Sequence, residues 1–173
     1  MKKLSVVFFV HRNRNGEIKI LLPRYSNKFK NARNGYGGKC ERKDDGEIET
    51  FLECAIRETR QEVGLSLKED KFLNFGKIFN GGNEVEIFVV NCKFEINFSD
   101  RKILIRADGE LEDPKWFSLS KFKNWANQVF EGDEVFFSEL RKSLEIFFET
   151  GDIEKIKIVK SENKELKERL KMS

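Results

Sequence analysis

Glu58 and Glu62 stand four residues apart in "RETRQEVGL" (57–65), which is the spacing of one helical turn. Two carboxylates stacked one turn apart can hold a hard divalent cation. Oxygen donors without His or Cys favour Mg²⁺, with Mn²⁺ as the alternative, over zinc. Such a cation polarises the bonds of the oxygens it binds and lowers the pKa of a bound water. That chemistry needs the carboxylates to face inward, and surface helices usually keep acids toward water.

The helical wheel places them at the buried side. With Ile48 as zero, Ile48, Phe51, Leu52, Ala55, Ile56, Thr59 and Val63 fill an arc from roughly 300° through zero to about 80°. Glu62 falls at about 320°, inside that arc, and Glu58 at about 280°, on its edge. Arg57 and Gln61 fall further round, at roughly 180° and 220°. A carboxylate so placed is costly unless it is paired or bound to a cation, and the negative end of the helix dipole adds to the cost. Neutralisation by Arg24, Arg57 or a lysine and neutralisation by a divalent cation both satisfy the wheel. Spacing alone leaves both open.

The elements that must position this helix follow from hydrophobic patterning. "KLSVVFFVHR" is a continuous apolar run that predicts a buried strand. "NRNGE" is a turn signal, and "IKILLPRY" resumes as a second strand of a hairpin. Residues 26–46 are polar and Gly-rich and predict a long loop of the kind that often carries function. The helical period predicts a helix from 47 to a natural C-cap at Gly64. "KFLNFGKIF" and "EVEIFVVNCKFEI" predict two strands around the turn "NGGN", and "DPKWFSL" a further short one. "DEVFFSELRKSLEIFFETG" predicts a second amphipathic helix, with Asp133 suited to its N-cap. "IEKIKIVK" alternates as a last strand. Strands and helices without a regular βαβ rhythm predict an α/β fold with a mixed sheet between helices. A single domain is expected over 1–160. The charged tail 161–173 has Leu166 and Leu170 four apart, which suits a short terminal helix.

Bulk properties exclude several classes. At 173 residues the chain suits one domain with a sizeable core. Thirty-three basic and 30 acidic residues leave a net charge of +3, too small a bias for a nucleic-acid binder, so no stable nucleic-acid complex is expected. Seventeen Phe beside two Trp and two Tyr read as core filling. Cys40, Cys54 and Cys92 are odd in number and widely spaced, which argues against a disulfide framework or zinc site. The lone His11 sits among apolar strand residues and is expected to be structural. No membrane span or signal-peptide pattern is read, so a cytoplasmic protein, monomer or homodimer, is expected.

The stretch around the two glutamates resembles the Nudix box, G-x5-E-x7-R-E-U-x-E-E-x-G-U with U aliphatic. Arg57, Glu58, Glu62, Gly64 and Leu65 match, and Glu49 occupies the earlier glutamate position. Three departures stand out. Gln61 replaces the glutamate before Glu62, and Thr59 replaces the aliphatic residue. The span from "GGK" to "RE" is about five residues longer, so the box glycine falls at Lys43 and either Glu47 or Glu49 could pair with Arg57. The resemblance implies a Nudix fold with its sheet sandwiched between helices. It also implies Mg²⁺-dependent hydrolysis of a nucleoside diphosphate linked to another group, with Arg57, Glu58, Gln61 and Glu62 at the catalytic centre. Glu58 and Glu62 would be metal ligands, with a third oxygen from "GELEDPKWF", where Glu110 is preferred to Glu112.

"ARNGYGGK" and "FEGDEVFF" resemble the "WNGFGGK" and "WPDDSYWF" segments of oxidised-purine nucleoside triphosphatases of the 8-oxo-dGTP diphosphatase type. By that resemblance Asn34 and Asp133 contact the base edge and Phe130 stands in place of a stacking Trp. Gly37, Gly38 and Lys39 would lie along the phosphates. Gly132 replaces one of the two neighbouring acids. The implied reaction converts a nucleoside triphosphate to a monophosphate and pyrophosphate, in sanitation of the nucleotide pool. Two other readings share the helix: a catalytically weak or silent Nudix-fold nucleotide sensor, and an RNA-end (decapping) hydrolase, which should carry a larger basic surface.

Overall fold

The computed structural model describes residues 1–25, 32–95, 111–129 and 133–160. Their strands are β1 (Lys2–Arg12), β2 (Ile18–Tyr25), β3 (Tyr36–Lys39), β4 (Leu73–Asn80), β5 (Asn83–Asn91), β6 (Leu111–Ser118) and β7 (Ile156–Lys160). The helices are α1 (Phe51–Val63), the single-turn α2 (Phe122–Trp125) and α3 (Glu134–Thr150). Among the described residues the strands form one seven-stranded mixed sheet in the order β6-β2-β1-β5-β4-β7, with β3 also on β1.

β1 is apolar on both faces from Val6 to Val10 because both faces are covered there. Phe8 and Val10 point into one core with Ile20, Leu22, Ile87 and Val89, closed by Phe136, Phe137, Leu140 and Leu144 of α3. Val7 and Phe9 point into the other core, with Leu21, Tyr36, Phe88 and Val90, closed by Ala55 and Val63 of α1. The sheet is therefore sandwiched between helices, as expected.

One edge of β1 is shared by two strands. Phe9–Arg12 pair antiparallel with Ile18–Leu21 of β2, while Leu4–Val7 pair antiparallel with Tyr36–Lys39 of β3. On the other side β5 runs parallel to β1. β2 leaves β1 toward β6, with a register shift between Leu22 and Arg24. Pro23, which has no N–H to give a ladder, sits at that irregularity. The gap left by β2 admits the segment leading into β3.

The boundaries differ from expectation in three places. α1 starts at Phe51, not at 47, because Thr50 caps it: its hydroxyl accepts from Glu53 N at 3.1 Å and its own N–H donates to the Glu53 carboxylate at 2.7 Å. Ile48 lies outside the helix and is exposed. The buried face of α1 is Cys54, Ala55, Glu58, Thr59, Glu62 and Val63. That face is centred some 40° round from the arc drawn through Ile48, so Glu58 sits inside it and not on its edge. The loop expected at 26–46 contains β3, and β5 stops at Asn91, short of the strand expected over 84–96.

Thr59 fills the position where an aliphatic residue was expected. It is fully buried, and its hydroxyl has no hydrogen-bond partner. Thr59→Val is expected to stabilise the fold by about 1 kcal/mol, because it removes an unsatisfied buried polar atom at nearly constant shape. Urea unfolding measures this, and a lower midpoint would mean that the hydroxyl has a partner in solution.

Candidate active site

The site is built where β3 crosses the buried face of α1. Gly37 takes φ 152°, and a Cβ there would lie 2.9 Å from Val6 Cα, so only glycine lets β3 lie flat on β1. Gly38 faces the helix: a Cβ there would lie 2.8 Å from Glu58 Cδ. The two glycines bring bare backbone against both carboxylates. Gly37 N donates to Glu62 Oε2 at 3.1 Å. α1 is held in this register by Ser5 Oγ, which donates to Phe51 O at 2.6 Å, and by Cys54 Sγ, 3.5 Å from Gly38 O.

Arg57 organises the carboxylates. Its Nε and Nη2 donate to the two oxygens of Glu49 at 2.7 and 2.9 Å, a bidentate geometry particular to guanidinium. Nη1 donates to Glu58 Oε1 at 2.8 Å and to Gln61 Oε1 at 3.2 Å, and Nη2 also reaches Lys39 O at 3.0 Å. The Glu49 contacts hold the guanidinium firmly protonated and hold the Glu49 carboxyl below the usual carboxylate range. The partner of Arg57 is thus Glu49. Glu47 is exposed, and its N–H donates to Asp45 at 2.9 Å. The added length between β3 and α1 closes as a small hairpin: Glu49 N donates to Glu41 O and Glu41 N to the Glu49 carboxylate, each at 2.9 Å. The insertion therefore returns Glu49 to Arg57 without displacing it.

Arg57 contacts one oxygen of Glu58, as the ion-pair alternative required. Glu58 and Glu62 are 2% and 4% exposed, one turn apart on one face, and backed by glycine. Tyr36, beside them, has its phenol pKa driven up by burial first and by Glu62 second. Burial likewise raises the Cys40 and Cys54 thiols, which suits inert core cysteines. The donors present are hard carboxylate oxygens and fit a divalent cation in type. Among the described residues no group of three or more acidic, His or Cys side chains converges on one metal position. Glu110, the expected third donor, lies outside the described residues. Glu112 lies in β6 opposite Arg24.

A second feature lies on the other face of the sheet, beyond the amino end of α3. Leu4, Val85, Ile78 and Ile158 stand side by side on β1, β5, β4 and β7, and all four are half-buried. Four strands span roughly 14 Å, wide enough to lay a purine flat. Asn34–Gly35 lies against β1 beside Val6 and Phe8, further along the strand from Leu4: a Cβ on Gly35 would lie 2.8 Å from Val6 Cγ2 and from Phe8 Cε1. The Asn34 amide oxygen accepts from Gly35 N at 2.8 Å. Asp133 flanks the shelf at β7. Its side chain makes no capping bond to α3 and instead pairs with Lys160, a correction to the N-cap expectation. Among the described residues no hydrogen bond joins Asn34 to Asp133. Lys39 is exposed, and Phe130 lies outside the described residues.

Arg33 gave no signal in the sequence. It is 3% exposed and donates to Leu22 O and Gln128 Oε1, each at 2.9 Å, and to Asp113 Oδ2 at 2.9 Å. It thereby ties β2, the start of β6 and the segment before α3 to the residue next to Asn34.

The NUDIX domain family model matches residues 1–140. This chain belongs to the Nudix family. Nudix enzymes generally use divalent metal ions. No curated protein matches the sequence. Among solved structures, it is similar to the NUDIX domain of Shewanella oneidensis NrtR complexed with ADP ribose, at 14% identity over 82% of this chain and 87% of that one, with TM-score 0.58. It is similar to a C. elegans Ap4A hydrolase binary complex at 16% identity over 83% and 98%, with TM-score 0.57. It is also similar to the T. brucei MERS1–RNA complex at 12% identity over 76% and 57%, with TM-score 0.58. At these identities the likeness is one of fold. Among the described residues no helix of this Nudix chain is long and apolar enough to cross a membrane.

Proposed function

We propose that this Nudix chain is a divalent-cation-dependent pyrophosphohydrolase that cleaves a purine nucleoside triphosphate to a monophosphate and pyrophosphate, with preference for oxidised guanine. The observation that carries it is the pairing of two buried carboxylates, Glu58 and Glu62, with the bare backbone of Gly37–Gly38. Side chains there would block both the acids and an approaching phosphate chain. Glu58 and Glu62 would hold the cation, with Glu110 as the further donor. When bound, the cation screens the phosphates and lowers the pKa of the attacking water. Arg57 fixes Glu58 through one oxygen while Glu49 fixes Arg57, so the carboxylates meet their ligand preorganised. The exposed Lys39 ammonium would meet the outer phosphates. The apolar shelf would take the purine ring, and Asn34 and Asp133 would read its edge.

Release of pyrophosphate or phosphate from a nucleotide panel, with and without Mg²⁺, tests the reaction. Turnover confined to Mg²⁺-containing samples is expected. Binding without turnover would instead make the chain a nucleotide sensor.

Base reading has its own test. Asn34→Ala is expected to lower kcat/KM for the preferred purine by about 1–3 kcal/mol, the cost of stranding a polar partner, and to affect dCTP much less. Wild type and variant are compared on 8-oxo-dGTP, dGTP, dATP and dCTP. Equal turnover of all four by the wild type would remove the base-reading proposal and leave the pyrophosphohydrolase standing.

A further inference from the structure

The shelf ends in an ion pair that the catalytic helix does not explain. Lys160, the last residue of β7, extends its ammonium to Asp133 Oδ1. Both side chains are largely shielded, at 28% and 13% exposure. The backbone under Lys160 is set from two sides: it is paired with Asn80 of β4, and its carbonyl accepts from Gly81 N at 3.0 Å. The backbone of Asp133 is set as well, since its carbonyl accepts from Phe137 N at 3.0 Å in the first turn of α3. An aspartate at a helix start ordinarily turns its carboxylate to the free amides of that turn. Here it makes no such bond. The carboxylate is turned to Lys160 instead.

We propose that Lys160 is a specificity-determining residue: by engaging Asp133, it commits that side chain to accepting hydrogen bonds and so selects guanine-type over adenine-type bases. The proposal rests on the base-reading site described above. An ammonium carries donors and no acceptor, so the oxygen it meets serves as an acceptor. The remaining carboxylate oxygen offers lone pairs to a ligand. Beside β1, the Asn34 oxygen already accepts from Gly35 N, and the amide NH₂ supplies a donor. The site thus presents an acceptor at β7 and a donor at β1. A guanine-type base offers the complement, ring and exocyclic N–H groups together with the O6 acceptor. An adenine-type base has an amino group where guanine has O6 and an unprotonated ring nitrogen where guanine has N–H. That nitrogen would face the Asp133 lone pairs, and acceptor against acceptor is repulsive. Oxidation of the imidazole ring leaves the guanine pattern on this edge intact.

Lys160 acts through Asp133 and is a positioning residue, so its test reads discrimination and not turnover alone. kcat/KM for dGTP and dATP would be measured with wild type, Lys160→Met and Lys160→Arg. The wild type should prefer dGTP. Lys160→Met should shrink the dGTP-to-dATP ratio by about tenfold or more, the scale of a lost charge-assisted hydrogen bond, and Lys160→Arg should retain most of it. Lys160→Met that keeps the full ratio overturns the inference and leaves the base-reading site intact. An equal fall for both nucleotides, with the ratio unchanged, also overturns it and assigns Lys160 to structure. A wild type that does not distinguish the two purines removes the base-reading site and this inference together.

Discussion

Glu62→Gln is expected to abolish Mg²⁺-dependent hydrolysis while leaving the fold intact or more stable. The substitution changes little besides charge. Glu62 is 4% exposed, and its contact with Gly37 N at 3.1 Å needs only an acceptor oxygen, which the glutamine amide supplies. The backbone of β3 therefore keeps its place against α1. What is lost is an anionic donor on the face that also carries Glu58. If Glu62 is a metal ligand, the loss should be at least a hundredfold, or about 2.7 kcal/mol. Removing a buried charge should cost no stability, since a buried carboxylate is expensive to desolvate. Turnover and thermal melting would be measured on the same preparation. A variant that kept more than about a tenth of wild-type turnover, a loss under roughly 1.4 kcal/mol, would make the ligand role untenable.

The parts of this site that could be read from sequence are those with a strong local period. The wheel puts Glu62 inside the buried face and Glu58 on its edge because a helix fixes side-chain direction every 100°. The choice between Glu47 and Glu49 could not be made that way, because it depends on how the hairpin from Glu41 to Glu49 closes. The start of α1 was legible and was missed: Thr50-x-x-Glu53 is a capping-box signature, and using it would have removed Ile48 from the arc and moved Glu58 inward. β3 was not legible. It is four residues long with two glycines, and its pairing comes from β1, not from its own alternation. Arg33 and Lys160 were hidden for a related reason. Their partners Asp113 and Asp133 lie 80 and 27 residues away in the chain, and nothing local marks a charged residue as buried. Asp133 shows the converse error. Local rules assign it to a helix cap, and a tertiary ion pair overrides them.

The largest stability effect should come from Arg57. It is 12% exposed and holds Glu49 bidentately and Glu58 by one oxygen, while also tying down Lys39 O at the end of β3. Arg57→Met keeps the stem and removes the guanidinium. Glu49 and Glu58, at 8% and 2% exposure, then lose a cation that they both contact. Breaking a buried pair by removing one partner costs roughly 3–5 kcal/mol, and about 3 kcal/mol is expected here because the network opens toward solvent at Glu41. The pH dependence identifies the cause. Arg57 depresses the folded-state pKa of Glu49, so the Glu49 contribution to wild-type stability is present above the unfolded carboxyl pKa of about 4.3 and is lost as pH falls through the lower folded value. In Arg57→Met that depression is gone. Protonation then relieves a buried charge instead of breaking an ion pair. The gap between the two proteins should therefore be widest near neutral pH and narrow steadily below about pH 4. Urea unfolding at pH 7 and at successive steps down to about pH 3.5 would measure it. A gap that stayed constant across that range would mean that Arg57 contributes packing alone, and that Glu49 and Glu58 find their counter-charge elsewhere.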